Sequence, residues 1–202
     1  DILCTIVEQL RGKGIEIIIA SGDMDTMQLV DADYVKVYTL RKGISDTIMY
    51  DERAVLARFG FAPSLLPDYK GLRGDPSDNI VGIKGIGEKT ATELIQHFGT
   101  IEDIYREVES PKSKIHKVMK PRIIELLKEN EDEALFSMML ATIRRDAPIK
   151  FILPEKCWRD GVSLERAREF FDKLEFRTLG ARLEHVLTGS KVVEKKSVEL
   201  EK

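Results

Sequence analysis

The apolar pattern of this chain changes character near residue 63, and that change limits the folds open to it. Before it, β-branched runs alternate with helical patterns; after it, apolar residues recur almost solely at helical spacing. Ile2, Leu3, Ile6, Val7 and Leu10 mark one face of an opening helix, which Gly12 and Gly14 end. Residues 15–20 are nearly continuous in β-branched side chains, as expected of a strand buried on both faces of a parallel sheet. Residues 21–25 then form the loop at the strand's C-terminal end, and a short helix through Leu29 follows. Residues 34–40 alternate like a strand, Lys42-Gly43 offers a turn, and residues 46–50 and 51–59 read as strand and helix. Residues 1–70 are thus expected to be the C-terminal part of an open α/β sheet.

Further on, Ala91, Leu94, Ile95 and Phe98 fall on one helical face, and Gly99 supplies a left-handed stop. Thr100 and Asp103 form a capping box for a helix carrying Ile101, Ile104, Tyr105 and Val108. Pro121 can open the helix of Ile123, Ile124, Leu126 and Leu127. Another helix is expected over about 132–143. Beyond the Ala147-Pro148 break, Ser163 caps a helix with Ala167, Phe170, Phe171 and Leu174 on one face. A last helix carries Leu179, Leu183, Val186 and Leu187. Residues 71–187 therefore read as a helical region, and the charged residues 188–202 as a linker or tail.

Composition removes several alternatives. A hydrophobic share of 43% and a charged share of 33% describe an ordinary globular chain. No apolar run approaches the roughly 20 residues that span a bilayer. Cys4 and Cys157 are far apart and form no metal-binding pair, which fits thiols in a reducing, cytoplasmic compartment. The net charge of −3 gives no direct support to a nucleic-acid partner, although an acidic metal site can offset a basic binding face.

Two acidic constellations carry chemistry. Asp23 and Asp25 lie in SGDMD, directly after the buried strand, where open α/β sheets place their ligand crevice. Carboxylates this close raise each other's pKa unless a counter-charge intervenes, and hard oxygen donors suit Mg²⁺ or Mn²⁺. Each could instead serve a solvated turn or a helix cap. In GDPSDN, Asp75 and Asp78 would share one face of a single helical turn opened by Pro76, with Asp75 as its cap.

A third stretch, GIKGIGEKTA, precedes an amphipathic helix in the manner of a helix-hairpin-helix. Gly85 and Gly87 permit a tight turn, and the N–H groups opening the next helix point outward to a phosphate. Lys84 and Lys89 add charge without reading bases, so the grip should be indifferent to sequence and weakened by salt. Gly82, Lys84, Gly85, Ile86, Gly87, Lys89 and Thr90 are the residues expected to face DNA. A phosphate grip only seven positions beyond Asp78 suggests phosphodiester hydrolysis, in which two ions about 4 Å apart can share the charge of the reaction.

These residues resemble a known family. Residues 68–105, together with ASGDMDTMQLV and KLEFRTLGARL, are similar to the 5′-3′ exonuclease (flap endonuclease-like) domain of bacterial DNA polymerase I, over nearly all of the chain to about residue 187. The resemblance implies a PIN-like open parallel sheet followed by an all-α helix-hairpin-helix (helix-three-turn-helix) region. Asp1 would match the last acid of an E-A-D-D motif, and Asp1, Asp23, Asp25, Asp75 and Asp78 would hold two or more Mg²⁺ or Mn²⁺ ions. A K⁺ ion would sit at the turn over residues 82–87. The implied partner is a DNA duplex with a 5′ end or flap, met by a monomer that can be fused to a polymerase and acts in replication and repair. Met24 and Val81 depart from the family's usual Lys and Pro. The chain opens at Asp1 without Met and reads as an N-terminally truncated fragment, with part of the active site upstream and little cleavage expected from it alone. The competing readings are a non-catalytic DNA-binding module, a standalone exonuclease, and a phosphotransferase with an aspartate nucleophile.

Overall fold

Helix α1 (Ile2–Leu10) turns Cys4, Val7 and Leu10 inward, as its helical period dictates, in the computed structural model, which describes residues 1–31, 34–42 and 46–189. Strand β1 (Ile17–Ala20) pairs in parallel with β2 (Val35–Lys42), and β2 pairs antiparallel with β3 (Asp46–Tyr50), in the order β1-β2-β3. The parallel expectation therefore holds for β1 and β2 only. A parallel connection needs a crossover of about a dozen residues or more, and three positions separate β2 from β3. The turn expected at Lys42-Gly43 runs into positions outside the described residues, as does the tail from residue 190.

Strand β1 is not buried on both faces. Ile19, Val37 and Tyr50 lie in register and form one inward row, with Ile19 only 5% exposed. Ile18, on the other face, is 51% exposed, and Tyr38, Leu40 and Met49 share that exposure. Period two decides this, since neighbouring strand residues point to opposite faces. A β-branched run does not itself say how many faces are covered.

Asp51 caps α2 (Glu52–Phe59) by accepting the Ala54 N–H, and Gly60 closes it in the left-handed conformation. A 3₁₀ turn at Pro63–Leu65 leads into α3 (Leu66–Arg73), whose Leu72 is fully buried. Helices α4 (Glu88–Phe98), α5 (Ile101–Glu109), α6 (Ile115–Val118), α7 (Pro121–Glu129) and α8 (Glu131–Ala141) follow. The Thr100 box forms as expected, with the Asp103 N–H donating to Thr100 Oγ1 and the hydroxyl donating back to Asp103. Gly71 lets α3 approach α8 closely, because a Cβ there would lie 2.8 Å from the Met138 Cβ and 2.9 Å from the Ala134 carbonyl. Helix α6 spans four residues, too short for a periodic signal.

These elements belong to a unit covering Asp1–Phe151, whose continuous core runs from Cys4 to Ala134. A second unit, Ile152–Lys202, contains α9 (Trp158–Gly161), α10 (Leu164–Lys173) and α11 (Leu179–Thr188). Ser163 caps α10 through the Arg166 N–H. None of these three helices carries a fully buried side chain. Among the described residues, no helix is long and apolar enough to cross a membrane.

Candidate functional site

The loop after β1 aims its acids by local hydrogen bonding. Asp23 N–H donates to Ser21 Oγ at 3.1 Å, and Asp23 Oδ1 accepts the Asp25 N–H at 2.9 Å. Asp23 thereby caps the 3₁₀ helix Met24–Leu29, which is pinned by buried Thr26, Met27 and Leu29. Capping occupies one Asp23 oxygen and leaves the Asp25 carboxylate facing α3.

The GDPSDN stretch forms a single turn opened by Pro76, with the Asp78 N–H donating to the Asp75 carbonyl at 3.2 Å and the Asn79 N–H to the Pro76 carbonyl at 3.4 Å. Asp75 and Ile80 exchange both backbone hydrogen bonds, at 2.8 and 2.9 Å, and close a tight turn over residues 76–79. Asn79 adopts φ +58, a left-handed conformation that Asn tolerates better than most residues. Asp75 Oδ1 accepts from the Ser77 N–H at 3.0 Å and the Ser77 hydroxyl at 2.6 Å, the capping bond expected of it. The ends of the turn cross in direct contact: a Cβ at Gly82 would lie 2.2 Å from the Gly74 nitrogen. Gly82 N–H donates to Ser137 Oγ at 3.0 Å, and Ile83 N–H to the Leu72 carbonyl at 2.9 Å.

The two acidic segments converge. One carboxylate oxygen from each of Asp25, Asp75 and Asp78 lies within 4.8 Å of the others. At an effective dielectric near 20, two unit charges that close repel by upwards of about 3 kcal/mol, so the arrangement calls for a counter-cation. Lys70 on α3 supplies one: its ammonium touches Asp25 Oδ1 and lies 2.6 Å from Asp75 Oδ2. Partial burial alone would raise the Asp75 pKa, but the Lys70 ammonium and the Ser77 hydrogen bonds outweigh it and hold the group at about 2. Asp1, Asp23, Asp25 and Asp78 line one open cleft of about 380 Å³, walled on one side by residues 140–143. Asp1 and Asp23 stand outside the close triad, and Asp1 Oδ1 accepts the Arg144 N–H at 2.9 Å. The donor set fits a divalent ion of the Mg²⁺ or Mn²⁺ type, since all three close ligands are hard oxygens.

The glycine turn beside the cleft divides its expected residues by role. Ile83 and Ile86 are buried, and the Ile86 N–H is committed to the Ile83 carbonyl at 2.9 Å. Ile86 therefore anchors the turn and offers neither side chain nor N–H to a phosphate. Gly82 is buried in the crossing with Gly74 and is likewise structural. Lys84, Gly85, Gly87 and Lys89 are exposed, with Thr90 partly so. Gly87 caps α4 with extended backbone and no side-chain hydrogen bond, leaving the N–H groups of Glu88, Lys89 and Thr90 to the exterior. Lys70 and Ser137 escaped the sequence reading because a Lys or Ser on an amphipathic helix normally faces water.

Three groups of known proteins match. A family model described as "5′-3′ exonuclease, C-terminal SAM fold" covers residues 61–161. DNA polymerase I of Bacillus caldotenax is 36% identical over 184 residues, 91% of this chain and 20% of that protein. DNA polymerase I of Bacillus subtilis is 37% identical over 183 residues, with the same two shares. The chain thus spans about a fifth of the length of these relatives. Among solved structures, a bacteriophage T5 flap endonuclease complex with DNA and metal ions aligns with TM-score 0.57 at 21% identity, covering 69% of this chain and 47% of that one. T5 5′-exonuclease with bound zinc ions gives 0.56 at 22%, covering 69% and 48%. At that identity the structural likeness speaks for the fold. With half of its length matched by the family model, the chain belongs to the 5′-3′ exonuclease family and carries that family's C-terminal SAM fold.

Proposed function

We propose that this chain supplies the phosphate-gripping part and a share of the metal-binding part of a 5′-3′ exonuclease and flap endonuclease acting on DNA within a DNA polymerase I. One observation carries the reading. The acidic turn and the glycine turn share a single piece of backbone, locked by the Gly74–Gly82 crossing and the bond from Ile83 N–H to Leu72. A duplex phosphate held at the N-terminus of α4 is thereby kept at a fixed offset from the carboxylates. Membership of the exonuclease family supports this, as do the metal ions and DNA named for the T5 structures.

In this reading Asp25, Asp75 and Asp78 hold a divalent ion, while Asp1 and Asp23 act across the same cleft, directly or through water. Such an ion polarises the phosphodiester and offsets the charge that builds as the bond breaks. Lys84, Lys89 and the free N–H groups at residues 88–90 hold the backbone phosphates without reading sequence. Further acids from elsewhere in the complete protein finish the site. The test is cleavage of a 5′-flap duplex by the complete protein with Mg²⁺ or Mn²⁺. Asp78→Asn and Asp25→Asn should each lower the rate roughly 100-fold or more and leave duplex binding in place. Unchanged cleavage would make the acids mere caps and the chain a DNA-binding module. Robust flap cleavage by these 202 residues alone would refute the shared site.

A further inference from the structure

Lys70 holds an unusual place beside the acidic cleft. Its side chain is only 13% exposed, unusually low for a lysine, and two carboxylates from different segments close on its ammonium. It reaches them from α3, which is fixed on the opposite side by buried Leu72 and by the close approach of Gly71 to α8. The position is therefore imposed by the fold and is not one of many poses of a surface chain. The ammonium fills the space between Asp25 and Asp75. A divalent ion shared by those two carboxylates needs that same space.

Resting on the metal reading above, we propose that Lys70 is a built-in counter-cation of the acidic site and sets how readily the site loads. In the unloaded protein it screens Asp25 from Asp75 and keeps both aimed into the cleft. On loading, its ammonium gives up the shared position and turns toward the cleft opening, where a substrate phosphate can take it as a partner. Lys70 is in this sense a positioning residue that acts through Asp25 and Asp75. Because a cation must leave before another enters, its presence weakens the apparent affinity for the ion. It also guards against a fold strained by bare carboxylates when the ion is scarce.

The test measures Mn²⁺ binding to the full chain by calorimetry, without DNA, for wild type and Lys70→Met, which keeps the apolar stem. The variant should bind Mn²⁺ on the order of tenfold more tightly, as removal of a positive charge within contact distance requires. It should also melt at a lower temperature than wild type in EDTA, and recover on adding Mn²⁺. Equal or weaker affinity in a folded variant overturns the proposal and leaves the metal reading standing. Absence of Mn²⁺ binding in both proteins overturns the metal reading and this proposal with it. A measurement on wild type alone covers the case of a variant that does not fold. Lys70 should react several-fold faster with an amine-acylating reagent when Mn²⁺ is present, and an unchanged rate overturns the proposal.

Discussion

Two adjoining turns, residues 74–82 and 83–90, use glycine for opposite ends. The first is closed: Asp75 and Ile80 pair their backbones, Gly74 crosses Gly82, and Ser137 takes the Gly82 N–H. Asp75 turns to Ser77 and Lys70 while Asp78 stays exposed at the cleft, and the product is a close set of carboxylates. The second is open: Gly87 has no atom within 4 Å of where a Cβ would stand, and α4 begins without a side-chain cap. Its polar groups face solvent, and in the function proposed above they are kept for an outside partner. Metal ligands must be held close against their own repulsion, whereas a sequence-indifferent phosphate grip needs only exposed donors and room for a backbone.

That contrast can be broken most directly at Gly82. Gly82→Ala would place a Cβ 2.2 Å from the Gly74 nitrogen at φ +63, and should cost at least about 3 kcal/mol in a urea melt while abolishing Mn²⁺ binding. A cost within about 1 kcal/mol would show that the crossing does not lock the acidic turn.

Asp68 probes the frame that holds the closed turn. It lies on α3 two residues before Lys70 but faces away from the cleft, accepting the Ile101 N–H at 2.9 Å. Asp68→Ala should cost about 1–3 kcal/mol, because that buried N–H loses its partner. Burial raises the Asp68 pKa above its ordinary 3.8, against the lowering effect of the Ile101 N–H. The folded state therefore binds this proton more tightly than the unfolded state. The stability it contributes is complete below the ordinary carboxylate pKa and is lost as pH rises through the raised value. Urea melts of wild type and Asp68→Asn should accordingly shift in favour of the variant as pH rises through that window, and a pH-independent gap would contradict the assignment.

Smaller effects belong to the open turn. Replacing both Lys84 and Lys89 with Ala should weaken duplex binding equally for all sequences, lowering the slope of log affinity against log salt by about one per lysine. A titration in which only some sequences lose affinity would mean that these lysines read bases. Smallest of all, Gly87→Ala should cost less than about 1 kcal/mol in a thermal melt and leave Mn²⁺ binding as it was. A large loss there would erase the distinction between the two turns.

Much of this was legible along the chain. Helical spacing located α1, α4, α5, α7, α10 and α11, and the caps at Thr100 and Ser163 formed where local chemistry asks for them. The acidic stretches and the glycine turn could also be singled out, because unusual density of Asp or Gly is a local property. Less legible was the direction of β3 and the exposed face of β1, since both depend on what lies across space. The closure of the Asp75 turn was hidden for a similar reason: the pairing of Asp75 with Ile80 and the contact of Gly74 with Gly82 join residues that the local pattern does not link.

The sequence by itself determined the helical half, its caps, and the residue types available for metal and phosphate. Short-range spacing and backbone preference suffice for those. Only the tertiary structure decided that Asp25, Asp75 and Asp78 meet within 4.8 Å, that Ile86 and Gly82 turn inward, and that Lys70 lies between two carboxylates. Those outcomes turn on which chain segments the core brings together, and on the charge balance that their meeting then requires.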